Sequence, residues 1–221
     1  MNYQRELDKI LTNEVNKRKK LFLHSCCAPC SSYVLTYLSS FFDITVFYFN
    51  PNITATEEYE HRVAEQKRLI DSLNESGKIY EWDALVSLPK ANSEQVRIPI
   101  KFIEGNHDVS AFYEAAKGLE GVPEGGPRCH HCFDLRLRET ANMAKAMGFD
   151  FFGTTLTISP LKNAKLINSI GMDISKEYGI EWLPSDFKKK EGYKHSIELS
   201  AEYGLYRQNY CGCEFSRTDI L

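Results

Sequence analysis

A chain of 221 residues with 43% hydrophobic content can build a core of its own, so it needs no disulfide framework to compensate for small size. Its formal net charge of −3 gives no global attraction to nucleic acid or to a membrane surface. No apolar run is long enough to cross a bilayer, and the charged first twenty residues carry no secretory h-region; a cytosolic location, where ordinary thiols stay reduced, is the expectation.

Residues 1–19 read as a charged, mildly amphipathic N-terminal helix. Residues 20–24 are a short apolar run of buried-strand type, leading straight into Ser25-Cys26-Cys27-Ala28-Pro29-Cys30. Pro29 suits the first turn of a following helix over 31–38, where its missing N–H would be unpaired anyway. A second strand over 44–49 stops at the turn signal Asn50-Pro51-Asn52. Tyr59, Val63, Gln66, Ile70 and Leu73 then recur at helical spacing, with Glu57 and Glu58 in the first turn and Gly77 just past the end. Strand, helix, strand, helix at this spacing indicates βαβ units and a parallel sheet.

The stretch 85–124 is less regular, with a weak strand over 98–102 and a short helix over 112–119. A Gly/Pro loop over 121–127 delivers Arg128 and Cys129, and a strong helix runs from Cys132 to about Met147, capped by Gly148. Residues 149–157 read as a strand, 161–178 as a helix ended by Gly179, and 180–183 as a late strand. With no internal repeat or low-complexity linker, the reading is one α/β domain over 1–221: an N-terminal helix (1–19), a core with a helical insertion (20–183) and a C-terminal extension (184–221).

All seven cysteines fall into three tight groups: Cys26, Cys27 and Cys30; Cys129 and Cys132; Cys211 and Cys213. Clustering at ligand spacing points to a metal or cluster rather than to scattered core thiols. The first group sits at a strand-to-helix junction, where open α/β sheets place their chemistry and where a helix N-terminus favours thiolate. Cys27-Ala28-Pro29-Cys30 alone also fits a thioredoxin-like redox pair, but that leaves five cysteines out. Cys129-His130-His131-Cys132 opens a helix, and a zinc ribbon is its ordinary rival. The two pairs come from different element junctions far apart in sequence, an irregularity that iron–sulfur ligation tolerates. Cys211 and Cys213 are either a cramped, easily reduced disulfide or further cluster ligands.

The stretches Leu23-His24-Ser25-Cys26-Cys27-Ala28-Pro29-Cys30, Tyr48-Phe49-Asn50-Pro51-Asn52-Ile53, Gly125-Gly126-Pro127-Arg128-Cys129-His130-His131-Cys132, Thr157-Ile158-Ser159-Pro160-Leu161-Lys162-Asn163 and Tyr210-Cys211-Gly212-Cys213 occur in this order. Together with their flanks they resemble the cobalamin-independent, QueH-type epoxyqueuosine reductases, over residues 20–216. The resemblance implies a Rossmann-like α/β fold similar to PP-loop enzymes, with the phosphate-binding loop replaced by Cys26 to Cys30 and no use of ATP. It implies a [4Fe-4S] cluster on Cys26, Cys27, Cys129 and Cys132, and a redox-active disulfide between Cys211 and Cys213. A second metal ion, iron or zinc, is also implied, with Cys30 and Asp134 as candidates for the extra ligation. The reaction implied is reduction of the epoxide of epoxyqueuosine in a tRNA anticodon loop, fed by an unidentified electron donor.

Epoxide removal also needs proton donors, and Tyr210 and Asp134 are the nearest candidates in sequence. The basic and aromatic stretch from Phe187 through Lys188, Lys189, Lys190 and Lys194 to Tyr206 and Arg207 is the expected tRNA contact, or else an ordinary surface helix. Two other readings stand beside this one: a structural zinc module that binds a partner, and a thioredoxin-like oxidoreductase using Cys27 and Cys30.

Overall fold

Apolar runs of strand length dominate the centre of the molecule, a five-stranded, all-parallel sheet of order β3-β2-β1-β4-β5. The computed structural model describes residues 1–14, 17–82, 85, 88 and 98–216, and these hold five strands and seven α-helices. The strands are β1 (Lys19–His24), β2 (Phe42–Tyr48), β3 (Lys101–Glu104), β4 (Phe151–Thr154) and β5 (Glu181–Trp182). In the less regular stretch 85–124, residues 86–87 and 89–97 lie outside the described residues. Beyond them, β3 begins three residues later than the expected start at 98 and pairs with β2, Thr45 opposite Lys101.

The period-2 alternation of the strands sends side chains to two separate cores. Leu21, Leu23, Ile44, Val46 and Phe151 face one layer of helices: α1 (Tyr3–Glu14), α2 (Ala28–Leu38), α3 (Thr56–Ser76) and α7 (Gly192–Glu202). Phe22, Phe47, Phe152 and Trp182 face the other, where α5 (Pro127–Ala146) and α6 (Ala164–Tyr178) pack through Leu137, Ala141, Ala144, Ile167 and Ile174. Helices on both faces explain why the strands read as continuous apolar runs rather than as alternating ones. The remaining helix, α4 (Val109–Ala116), is capped by Asp108, whose carboxylate accepts from the Ser110 N–H at 2.9 Å.

Helix α2 is buried almost all round, sandwiched between the sheet and α7. Its hydroxyls stay satisfied inside: Ser31, Ser32 and Thr36 each donate to a carbonyl one turn back. Helix α5 starts at Pro127, five residues before the expected start at Cys132, because the proline occupies the first turn. That earlier start places Cys129 and Cys132 on one helix. Residues 149–157 split into the short β4 and a 3-10 turn, Leu156–Ile158. Helix α6 begins at Ala164, where the Asn163 side chain accepts from the Leu166 N–H at 3.2 Å.

The order of strands reverses between β1 and β4, since the crossover after β1 runs to β2 on one side and β4 lies on the other. A crevice outside the carboxyl ends of the strands at such a point is where open α/β sheets bind ligands. After α7 the chain returns to this end of the sheet. Arg68 donates to the carbonyls of Tyr203 and Gly204, Arg62 to that of Tyr210, and Asn52 to that of Cys211. Among the described residues no helix is long and apolar enough to cross a membrane.

Candidate active site

Cys26, Cys27 and Cys30 leave the end of β1 and enter the first turn of α2, with Cys27 at the N-cap. Their sulfurs all lie within 4.8 Å of one another, and Cys26 and Cys27 are 3.8 Å apart. Two thiolates on one tetrahedral ion with metal–sulfur bonds of about 2.3 Å would stand about 3.8 Å apart. The trio therefore fits a metal-holding role. Its thiols are electronically distinct. Hydrogen bonds from Cys27 and Cys30 hold the Cys26 thiol well below its ordinary pKa against the opposing effect of burial, and Lys162 and Arg136 help. Cys27, donating to Cys26, is pushed up to about 12, and Cys30 is pushed up as well.

A buried polar network ties α5 to the strand ends beneath this trio. Arg136 on α5 is 3% exposed; its Nε donates to His24 Nε2 at 3.2 Å, and one Nη donates to Asn50 Oδ1. A guanidinium only donates, so His24 Nε2 accepts and Nδ1–H points at Thr154 Oγ1, 2.8 Å away. Burial, then the Arg136 charge, lowers the His24 pKa to about 3, so the ring is neutral. His24 ends β1, Thr154 ends β4 and Asn50 follows β2, so one guanidinium braces two strand ends directly and a third through His24. The other Nη of Arg136 reaches Cys132 Sγ at 3.9 Å.

The cysteines of α5 and of the C-terminal segment share a cavity. Cys129, Cys132, Cys211 and Cys213 line it with Asn52, Glu124, Arg128, Arg136, Lys162 and Asn163. Cys129 Sγ accepts from the Gly125 N–H at 3.2 Å. Burial raises the pKa of both Cys129 and Cys132, in the latter against the Arg136 charge. Cys211 and Cys213 are free thiols, as are the other five, so the expected disulfide is not formed in this structure. Hydrogen bonding from Cys213 holds the Cys211 thiol well down, while Cys213 is pushed up by the same bond.

Lys162 connects the two sites. Burial opposes its charge, yet attraction from Cys26, Cys30 and Cys211 raises its pKa above the ordinary lysine value. Glu124, also on the cavity wall, is raised by burial and by the charge of Cys211. Arg136 acts in the same way on Cys26 and Cys132. Two cations thus serve both sets of sulfurs at one end of the sheet. Among the described residues, the sulfurs close enough for a single ion are those of Cys26, Cys27 and Cys30; Cys129 and Cys132 do not join that group.

Other expected residues lie elsewhere. Asp134 is one residue past the cavity wall on α5 but points off its other face. It accepts from Arg138 at 2.8 Å and lines a separate groove with His131, Leu135 and Tyr178, so it does not reach the cysteines. Tyr210 is half-buried, with the Arg62 guanidinium 5.1 Å from its ring centroid, and is not on the cavity wall. His130 and His131 approach the carbonyls of Gly125 and Ala115, each at 3.2 Å. In the basic stretch, Phe187 is buried in the core rather than offered for stacking. Lys188, Lys190 and Lys194 pair with Asp186, Asp8 and Glu191. Sequence reasoning missed His24, Arg136, Glu124 and Lys162 as members of the site, although each stands in or beside a cysteine-bearing or Pro-Leu-Lys-Asn stretch.

Comparison with known proteins places the chain in a family. The family model "Epoxyqueuosine reductase QueH" matches residues 21–219. The epoxyqueuosine reductase QueH of Staphylococcus epidermidis is 40% identical over 220 residues, covering 98% of this chain and 84% of its own. That of Streptococcus pyogenes serotype M1 is 38% identical over 218 residues, 98% of this chain and 78% of its own. The Thermotoga maritima protein of the same name is 33% identical over 196 residues and covers 89% of each chain.

Proposed function

Because the chain belongs to the QueH epoxyqueuosine reductase family, we propose that it reduces epoxyqueuosine in tRNA to queuosine at the cysteine-lined end of its sheet. Opening an epoxide to an alkene consumes two electrons and two protons and releases the epoxide oxygen as water. The electrons come from an external donor. In this reading the core is of Rossmann-like, PP-loop type, and the loop from Cys26 to Cys30 stands where a phosphate-binding loop would be.

Cys26, Cys27, Cys129 and Cys132 hold a [4Fe-4S] cluster, and Cys30 is available to a second iron or zinc ion. Such a group supplies single-electron transfer and Lewis acidity towards the epoxide oxygen. The protein's own part is to position the sulfurs. Neutral His24 under Arg136 fixes the strand ends, Cys26 follows two residues after His24 at the end of β1, and Asn52 holds the Cys211 carbonyl beside them. Cys211 and Cys213 stand on the cavity wall as a thiol pair able to hold two electrons between turnovers.

The observation carrying the reading is that Arg136 donates to His24, two residues before the trio, while reaching Cys132 Sγ at 3.9 Å on the wall of the cysteine cavity. Anaerobic purification tests it. A brown protein with iron and sulfide, bleached by dithionite, that converts epoxyqueuosine to queuosine in tRNA is expected. A colourless zinc protein without conversion would overturn it, and conversion surviving loss of Cys129 and Cys132 would favour the Cys27/Cys30 thiol route.

A further inference from the structure

The wall of the cysteine cavity carries more unpaired polarity than its sulfurs explain. Glu124 and Lys162 come from the loops before α5 and α6 and line the cavity together, yet no ion pair or side-chain hydrogen bond engages either among the described residues. Asn52, 2% exposed on the same wall, donates its amide N–H to the Cys211 carbonyl, which leaves Oδ1 as a buried acceptor with no partner among the described residues. Arg128, also on the wall and 1% exposed, has its Nε buried and unpaired in the same sense, although its two other nitrogens are engaged. Buried polar groups are paired as a rule, so an orphan acceptor and an orphan donor on one wall, with opposite charges beside them, describe a seat for a polar ligand.

Resting on the function proposed above, the ligand chemistry is defined. The epoxidised cyclopentane ring of epoxyqueuosine is joined to its base by a secondary amine, cationic near neutral pH, and carries hydroxyl groups. We infer that this cavity seats that amine-linked ring, with Glu124 and Asn52 accepting from the cationic nitrogen and Lys162 donating to the ring oxygens. The base and the anticodon strand then lie outside the mouth, beside Leu161, which is 75% exposed. Glu124 and Lys162 thereby read the modification itself rather than the tRNA backbone.

Steady-state kinetics and equilibrium binding on two tRNAs, one with epoxyqueuosine and one with guanine at the wobble position, test this. Glu124→Gln is expected to raise KM for the epoxyqueuosine tRNA about tenfold with kcat changed less than about twofold, the signature of a lost charge-assisted contact. Lys162→Met is expected to lower kcat/KM about thirtyfold, and Lys162→Arg to recover most of it. Binding of the guanine tRNA should stay within about twofold of wild type in all three, which a folding defect or a lost phosphate contact would not allow. An unchanged KM in Glu124→Gln, or an equal loss on both tRNAs, would overturn the inference. Wild-type protein that binds the epoxyqueuosine tRNA selectively through Glu124 but never converts it would refute the proposed reaction and leave the binding seat standing.

Discussion

Arg136 spends all three of its nitrogens inside the molecule, on His24, Asn50 and Cys132. Deleting the guanidinium leaves Asn50 Oδ1 buried without its donor and forces His24 Nε2 to change from acceptor to donor towards the Phe49 carbonyl 3.2 Å away. Arg136→Met should therefore cost about 3 kcal/mol in urea unfolding, and Arg136→Lys should recover less than half, because an ammonium cannot fork to three partners. Asp134, two residues earlier, faces solvent and pairs with Arg138 at partly exposed positions. Asp134→Asn should shift stability by less than about 1 kcal/mol and leave turnover within about twofold; a tenfold loss of turnover would return it to the chemistry. The contrast shows what the sequence conveys about residues. Cysteine spacing is local and legible, so the ligand candidates were readable. Arg136 and His24 are 112 positions apart, and only the docking of α5 on β1 makes them neighbours. Asp134 looked eligible as one helical turn from Cys129, but five positions along a helix carry a side chain about 140° round the axis, to another face.

Elements were legible where a local signal marks their ends and blurred where tertiary packing sets them. Gly77 and Gly179 end α3 and α6 in the left-handed region, at φ of +58° and +66°, where the sequence put them. β4 keeps only four residues of the nine-residue strand expected over 149–157, and beyond Thr154 the chain turns, with Thr155 Oγ1 accepting from the Cys26 N–H. Helix α6 also depends on a residue with no local signature. A Cβ at Gly171 would sit 2.4 Å from the Trp182 indole, whose own Nε1 is fixed by donation to Asn168. Neither the helix nor the ring can yield freely, so Gly171→Ala should cost about 2–3 kcal/mol despite its better helix propensity. Pairing it with Trp182→Phe should return part of that loss in thermal unfolding; an unchanged Tm in the single variant would mean that α6 slides on the sheet.

At the scale of the whole molecule, an anionic protein is asked to hold a polyanion. The formal charge is −3, and three lysines of the basic stretch are already paired with carboxylates. Composition could not reveal that pairing, since Lys190 meets Asp8 from the opposite end of the chain. If those pairs persist in the complex, few phosphates are neutralised on binding. Single-stranded RNA loses roughly 0.7 counterions per neutralised phosphate. About three contacts, made near the cavity mouth and by cations such as Lys189, then give a log–log salt slope of about −2 for wild-type affinity. A slope near −5 or steeper would mean that the basic stretch breaks its ion pairs to meet the backbone, and Lys188→Ala with Lys190→Ala should then flatten it. A slope of zero would place all recognition in the modified base, and in that case affinity for a tRNA with guanine at the wobble position should vanish as well.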